Sequence, residues 1–305
     1  MFEIIKSGTK IDFIGKSKIY FTVSIILCII GFGFIFGKGF NYGVDFSGGT
    51  SVQVTFENPV DIDKMRTTLS QDIGASVSIQ TLGSDSSFRI KVDQGASGED
   101  LKKISDTISN ALETKFAEGG KVIIDSVEQV GPQVGKDLKR QALLAVLYAV
   151  IGILIYVAIR FELMSAASSI IALIHDIILT LGVIIAVNVT FDLTVLAALL
   201  TVVGYSLNDK IVIFDRIRER ARMDEHKTLM ESMNISINET LSRTILTSTS
   251  TLLAVISLAV FGGEVIKGFA IVMIAGIIIG TYSSIGIASS LVYNIKMLKG
   301  KKTVK

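Results

Sequence analysis

The sequence predicts a polytopic α-helical membrane protein: six transmembrane helices, with a ferredoxin-like βαββαβ extracytoplasmic domain between helices one and two. Three observations carry this. Half of the 305 residues are hydrophobic and only 19% are charged, below the roughly one quarter typical of soluble domains. The apolar residues gather into long runs that reach or approach the ~20 needed to cross ~30 Å of hydrocarbon. Between residues 38 and 136 the runs shorten to strand length and charge returns, with 10 Lys/Arg against 14 Asp/Glu for a net −4.

Residues 1–37 comprise a terminus bearing Lys6, Lys10, Lys16 and Lys18 and a first span at 19–36. No small-residue cleavage pattern follows this span, so it reads as a retained anchor. Gly33 and Gly37, at its end, permit close helix approach. Residues 38–136 read as strand 50–56, helix 60–73, strands 77–81 and 87–92 around a turn at Gly83-Ser84-Asp85, helix 97–116 and strand 121–130. Ile62, Met65, Leu69 and Ile73 mark the buried stripe of the first helix; Leu101, Ile104, Ile108 and Leu112 mark that of the second. The order is that of a split βαβ unit.

Residues 137–295 supply five further spans, at 138–159, 163–187, 193–214, 244–261 and 269–293. A polar notch falls at Asn188-Val189-Thr190, a charged, helix-compatible loop at 215–243 and a glycine-rich turn at 262–268. The tail, 296–305, holds five lysines. An even number of spans puts both termini on one side. That side collects the N-terminal lysines, Arg160, the 216–227 cluster and the tail, so the positive-inside rule makes it cytoplasmic. Lys139 and Arg140 are the local exception.

Asp209 is the focus of the membrane half. It sits about one and a half turns inside the end of the fourth span at ~1.5 Å per residue, where a carboxylate needs a partner or a wet path. Tyr205 shares its face, and Asn208 points ~100° away and flanks it. On the fifth span Arg243, Thr247, Ser250 and Ala254 form a stripe, and antiparallel succession brings Arg243 toward the depth of Asp209. Three roles stay open: a proton-sensitive switch relayed by hydroxyls, a static brace between helices, or a carboxylate near enough to the surface to be solvated. His175 and Asp176 lie mid-way along the third span. Histidine titrates near neutrality, but helix neighbours point ~100° apart and are not expected to pair well with each other. One of them extends the polar path, or both bond neighbouring helices.

Gly276, Gly280 and Ser284 recur every fourth residue and give a small-residue seam, for a helix of this chain or of a partner. Gly43, Asp45, Gly48 and Gly49 form a tight turn at the base of the outer domain. No Lys-Ser/Thr follows and no helix is expected there, so it is not a phosphate loop. The arginines at 216, 218, 220 and 222 fix topology and contact anionic lipid; without interleaved aromatics they do not suggest nucleic acid. Cys28, the only cysteine, reads as a small packing residue. His226 reads as a surface residue, and the scattered His and Cys predict no metal site. No Walker, protease or cofactor fingerprint occurs, so neither enzyme activity nor a cofactor is expected.

Five segments, GVDFSGGT (43–50), HDIILTLG (175–182), GYSLNDKIVIFDRIRER (204–220), LSRTILTSTSTLLAV (241–255) and FGGEVIKGFAIVMIAGIIIGTYSSI (261–285), together resemble the SecF-type members of the SecD/SecF protein-export family. The resemblance runs the length of the chain in order. It implies a multi-pass protein of the bacterial inner membrane that pairs with SecD in a twelve-helix assembly similar to resistance-nodulation-division transporters. It further implies use of the proton-motive force to draw preproteins from the SecYEG channel after SecA has acted, with YajC as a further partner. The family's membrane carboxylate and arginine match Asp209 and Arg243. Lys210 departs from a more usual neutral residue, and is expected to snorkel to the cytoplasmic face or to perturb Asp209. The outer domain matches weakly, so its role is carried by analogy. Two other functional classes compete: a passive scaffold for SecD or the channel, tolerant at Asp209, and one half of a proton-coupled small-molecule exporter. The residues leave proton against sodium coupling open.

Overall fold

The computed structural model describes residues 9–75, 77–92, 101–223 and 227–303. It divides into two compact units, Tyr42–Ala145 with Phe191–Leu193, and the remainder. The first long helix, α1 (Ser17–Gly37), is apolar on every side and leaves many large side chains uncovered, as a lipid-facing helix does.

In the smaller unit GVDFSGGT forms a short helix, α2 (Val44–Ser47), where only a turn was expected. Ser47 Oγ donates to the Gly43 carbonyl at 3.1 Å and helps close that turn. Gly48 (φ 74°) and Gly49 (φ 119°) then carry the chain into β1 (Gly49–Phe56) through angles that side chains avoid. Helix α3 (Ile62–Ile73) starts after Asp61, whose carboxylate accepts from the Asp63 and Lys64 amides, and stops at left-handed Gly74. Strands β2 (Val77–Leu82) and β3 (Ser84–Val92) meet at Gly83 alone, a tighter hairpin than expected. Helix α4 (Leu101–Lys115) and β4 (Val122–Val130) complete the unit; residues 97–100, expected to open α4, lie outside the described residues.

The sheet order is β2-β3-β1-β4, with antiparallel pairing throughout. This is the split βαβ topology. Val52, Val54 and Phe56 of β1 and Phe88, Ile90 and Val92 of β3 pack beneath Met65 and Leu69 of α3 and Ile108 and Leu112 of α4. Each such side chain stabilises the unit by about 1.5–3 kcal/mol when fully buried.

The remaining long helices are α5 (Pro132–Arg160), α6 (Leu163–Ala186), α7 (Leu193–Met223), α8 (Leu229–Phe261) and α9 (Gly263–Tyr282). A single π-helical turn (Ser283–Ala288) runs on into α10 (Ser289–Thr303). Among the described residues, six stretches are long and apolar enough to cross a membrane. Pro132 opens α5 six residues earlier than expected, at the position where a missing N–H costs least. The charged, helix-compatible loop expected at 215–243 is mostly helix among the described residues, an extension of both α7 and α8. Its charges pair across the two helices: Arg216 Nε meets Glu239 at 2.6 Å, and Arg220 holds the same carboxylate. Thr228 and Glu231 form a reciprocal capping box that starts α8. The glycine-rich turn expected at 262–268 is confined to Gly262 and Gly263 (φ 73°).

Candidate functional site

Three consecutive residues of α7 face three surroundings, as ~100° of rotation per residue requires. Asn208 lines an open hollow of about 560 Å³ together with Glu239, Thr240 and Arg243. Asp209 is 3% exposed, makes no hydrogen bond or ion pair among the described residues, and has its Oδ2 buried without a partner. Lys210 is fully buried and turns toward α6.

The expected contact between Asp209 and Arg243 is therefore absent as an ion pair. Arg243 is exposed on α8 and opens onto the hollow beside Asn208. Tyr205, one turn before Asp209, reaches the Thr251 hydroxyl at 3.5 Å. Thr247 donates to the Arg243 carbonyl on its own helix at 2.8 Å, so its proton is committed locally. The structure thus places Tyr205, Asn208 and Asp209 together on α7 but leaves Arg243 and Thr247 unjoined to Asp209.

The buried ion pair lies one residue further on. Lys210 Nζ is 2.8 Å from Asp176 Oδ2 on α6, 2.5 Å from Ser206 Oγ and 3.2 Å from Ser283 Oγ in the π-helical turn. Ser206 and Ser283 also donate to Asp176 Oδ2, at 2.6 and 2.8 Å. Asp176 Oδ1 lies 2.9 Å from His175 Nδ1. This overturns two expectations. Lys210 does not snorkel, because a counter-ion and two hydroxyls meet its ammonium inside the bundle. His175 and Asp176 do pair, because three donors on Oδ2 turn Oδ1 back toward the ring. His175 Nε2 remains buried without a partner. A carboxylate accepting four hydrogen bonds and an ammonium meeting acceptors on α6, α7 and the π-helical turn satisfy the condition under which a buried pair is tolerated. The switch from α- to π-geometry, common at functional positions, occurs where Ser283 enters this cluster.

The glycine seam packs on α7 within this chain. A Cβ on Gly276 would stand 2.2 Å from the Val202 side chain, and one on Gly280 would stand 3.0 Å from Ser206; Ser284 Oγ donates to the Ser206 carbonyl at 3.4 Å. On α1 the close approach is made by Gly31 against Gly182 of α6, not by Gly33 or Gly37, which face open space. In the smaller unit Asp45 Oδ2 accepts from the Leu193 amide at 3.0 Å, capping the start of α7. Gly48 is met by the start of α5: a Cβ there would lie 3.5 Å from Pro132 Cα, and a Cβ on Gly135 would lie 3.3 Å from the Gly48 nitrogen. Ser206 and Ser283 were missed in the sequence; the i, i+4 spacing of Ser206 and Lys210 on one helix face was the available signal.

Six apolar helices around a sealed carboxylate and an internal ion pair, with a split βαβ unit after the first, define a polytopic membrane protein organised by charge inside its bundle. Residues 109–298 match the family model described as protein export membrane protein SecD/SecF, C-terminal, and residues 33–60 match the SecD/SecF GG motif. The protein translocase subunit SecF of Calditerrivibrio nitroreducens is 50% identical over 302 residues, covering 97% of this chain and 98% of that one. That of Pseudomonas aeruginosa is 45% identical over 288 residues, covering 93% and 91%. The crystal structure of SecDF from Thermus thermophilus, a translocon-associated membrane protein, superposes with a TM-score of 0.83 at 36% identity, over 95% of this chain and 39% of that chain. A second SecDF structure, in a super-membrane-facing form, gives 0.71 at 33% identity, over 100% and 41%. The chain belongs to the SecD/SecF family and is a SecF-type protein translocase subunit. It spans nearly the full length of its SecF relatives and about two fifths of the SecDF chains.

Proposed function

We propose that this subunit, paired with SecD in the bacterial inner membrane, couples the proton-motive force to late steps of preprotein export at the SecYEG channel, with YajC as an accessory partner. Both termini lie in the cytoplasm, and the acidic α+β unit faces outward. The observation that carries the reading is Asp209: a carboxylate 3% exposed in a membrane helix whose Oδ2 is buried with no hydrogen-bond partner and which forms no ion pair among the described residues, with Lys210 and Arg243 near enough to act on its charge. Such a group is expensive to keep in a dry interior and is a functional position by default. The unpartnered Oδ2 takes a proton in one state and accepts from the Arg243 guanidinium, reaching from across the hollow, in the other. Tyr205 and Asn208 border that route. The Lys210–Asp176 cluster holds α7 while the exchange occurs, and the glycine seam keeps α9 against it.

Asp209→Asn tests this in proteoliposomes containing SecD and the channel. The expected outcome is normal assembly with SecD and loss of the proton-gradient stimulation of export. Wild-type stimulation in that variant refutes the coupling role and leaves the scaffold reading.

A further inference from the structure

The basic cluster at the charged end of α7 is not uniform. Arg216 and Arg220 are neutralised by Glu239, with Glu219 adding a second contact to Arg216. Arg160 pairs with Asp215 and lies over the Phe161 ring at 5.8 Å. Arg218 and Arg222, four residues apart on the other face, have no acidic partner among the described residues. Both line a cavity of about 110 Å³ between α6, α7 and α10, to which Lys296 also contributes. Lys296 meets Glu162 only at 3.7 Å. Three cations against one carboxylate leave the cavity with a formal charge of +2.

The cavity floor is apolar: Phe214, Ile217 and Val292 are each at most 4% exposed. The site lies where the α5–α6 connection and the end of the fourth apolar run meet the first charged residues, the level of a bilayer interface. A volume of ~110 Å³ holds several water molecules, and so a phosphate group, but not acyl chains. Two unpaired guanidiniums present donor forks matched to phosphate oxygens.

We infer that Arg218, Arg222 and Lys296 form a discrete site for the phosphodiester of an anionic phospholipid, whose acyl chains lie along the adjoining apolar helices. The site is independent of the Asp209 reading.

The test uses the full chain in nanodiscs of phosphatidylcholine with a minor fraction of phosphatidylglycerol, and native mass spectrometry to count the phosphatidylglycerol retained on release. Arg218→Gln/Arg222→Gln is compared with Lys16→Gln/Lys18→Gln, which removes equal charge elsewhere. At ~1 kcal/mol per basic residue near an anionic surface and 1.4 kcal/mol per decade, the first variant weakens retention about 25-fold, and the second, whose exposed lysines line no cavity with the arginines, weakens it clearly less. If the double variant is not monodisperse, Arg222→Gln alone gives about a fivefold loss. Equal losses in both charge-matched variants overturn the site, as does no loss in either. Displacement of the lipid by inorganic phosphate overturns the lipid assignment in favour of a soluble anion.

Discussion

Removing one member of the Lys210–Asp176 pair leaves a bare charge in a dry bundle, and that perturbation can be sized. Lys210→Met leaves Asp176 with three donors, His175, Ser206 and Ser283. Its cost falls at the low end of the 3–5 kcal/mol for breaking a buried pair, about 3 kcal/mol. Asp176→Asn leaves the ammonium facing hydroxyl and carbonyl oxygens with no counter-ion, and its cost falls toward the upper end, about 4–5 kcal/mol. The double variant Asp176→Asn/Lys210→Met buries no net charge and keeps the serine hydrogen bonds, so it loses only about 1 kcal/mol. The singles then exceed the double by about 6–7 kcal/mol in sum, far beyond the ~0.5 kcal/mol expected of independent sites. The chain has no tryptophan, so unfolding by denaturing detergent is followed by helical circular dichroism. Singles below ~1 kcal/mol, or a double equal to their sum, refute the view that these two charges stabilise each other.

Gly276→Val pushes methyl groups into Val202, which a Cβ alone already meets at 2.2 Å. The expected loss is about 1–3 kcal/mol or more, relieved by Val202→Ala in the same detergent-unfolding assay; no relief assigns the effect elsewhere. Glu128 on β4 is exposed as a residue, and its carboxyl is pushed up by partial withdrawal from water, against the opposing charge of Arg89, with Asp45 and Asp192 adding to the rise. The folded unit therefore keeps this proton to higher pH than the unfolded chain does. That stability is full below the ordinary glutamate range and is lost as pH rises through the folded value. Glu128→Gln should raise amide-exchange protection of β1 and β4 at neutral pH and flatten its fall above the carboxylate range; unchanged protection contradicts this.

Much of the fold was legible because it rests on period and length. The stripe of Met65, Leu69 and Ile73, and the apolar runs, mark their helices without reference to anything distant in the chain. The ends were harder. Helix α8 begins at Leu229, fifteen residues before the apolar span expected from 244, where Thr228 and Glu231 spell a capping box. The charge pattern there is compatible with helix or loop, and the Arg216, Arg220 and Glu239 pairing stabilises helix on both sides. At the site, the sequence shows that Asp209, Asp176 and Lys210 lie in spans, but partnership depends on helix rotation, which hydrophobic pattern fixes only loosely. A helix turned by one residue exchanges the environments of Asn208, Asp209 and Lys210. Arg243 was a reasonable partner by depth alone; the structure gives the ion pair to Lys210 because Asp176, Ser206 and Ser283 converge where its ammonium ends.

That same geometry limits how coupling can work. Bringing Asp209 to Arg243 by turning α7 through ~100° would carry Lys210 off Asp176, breaking a buried pair at about 3–5 kcal/mol. One elementary charge crossing ~100 mV releases about 2.3 kcal/mol, which is less. Rotation of α7 is therefore the unfavourable route. Arg243 is exposed on α8, has a long flexible side chain and faces the open hollow beside Asn208, so the coupling proposed above predicts that Arg243 or α8 moves while α7 stays pinned to α6. Spin labels on α6 and α7 should then hold their separation when a proton gradient is imposed, and a label on α8 should shift against both. A change confined to the α6–α7 distance would mean that the pin gives way and that the buried pair is itself the switch.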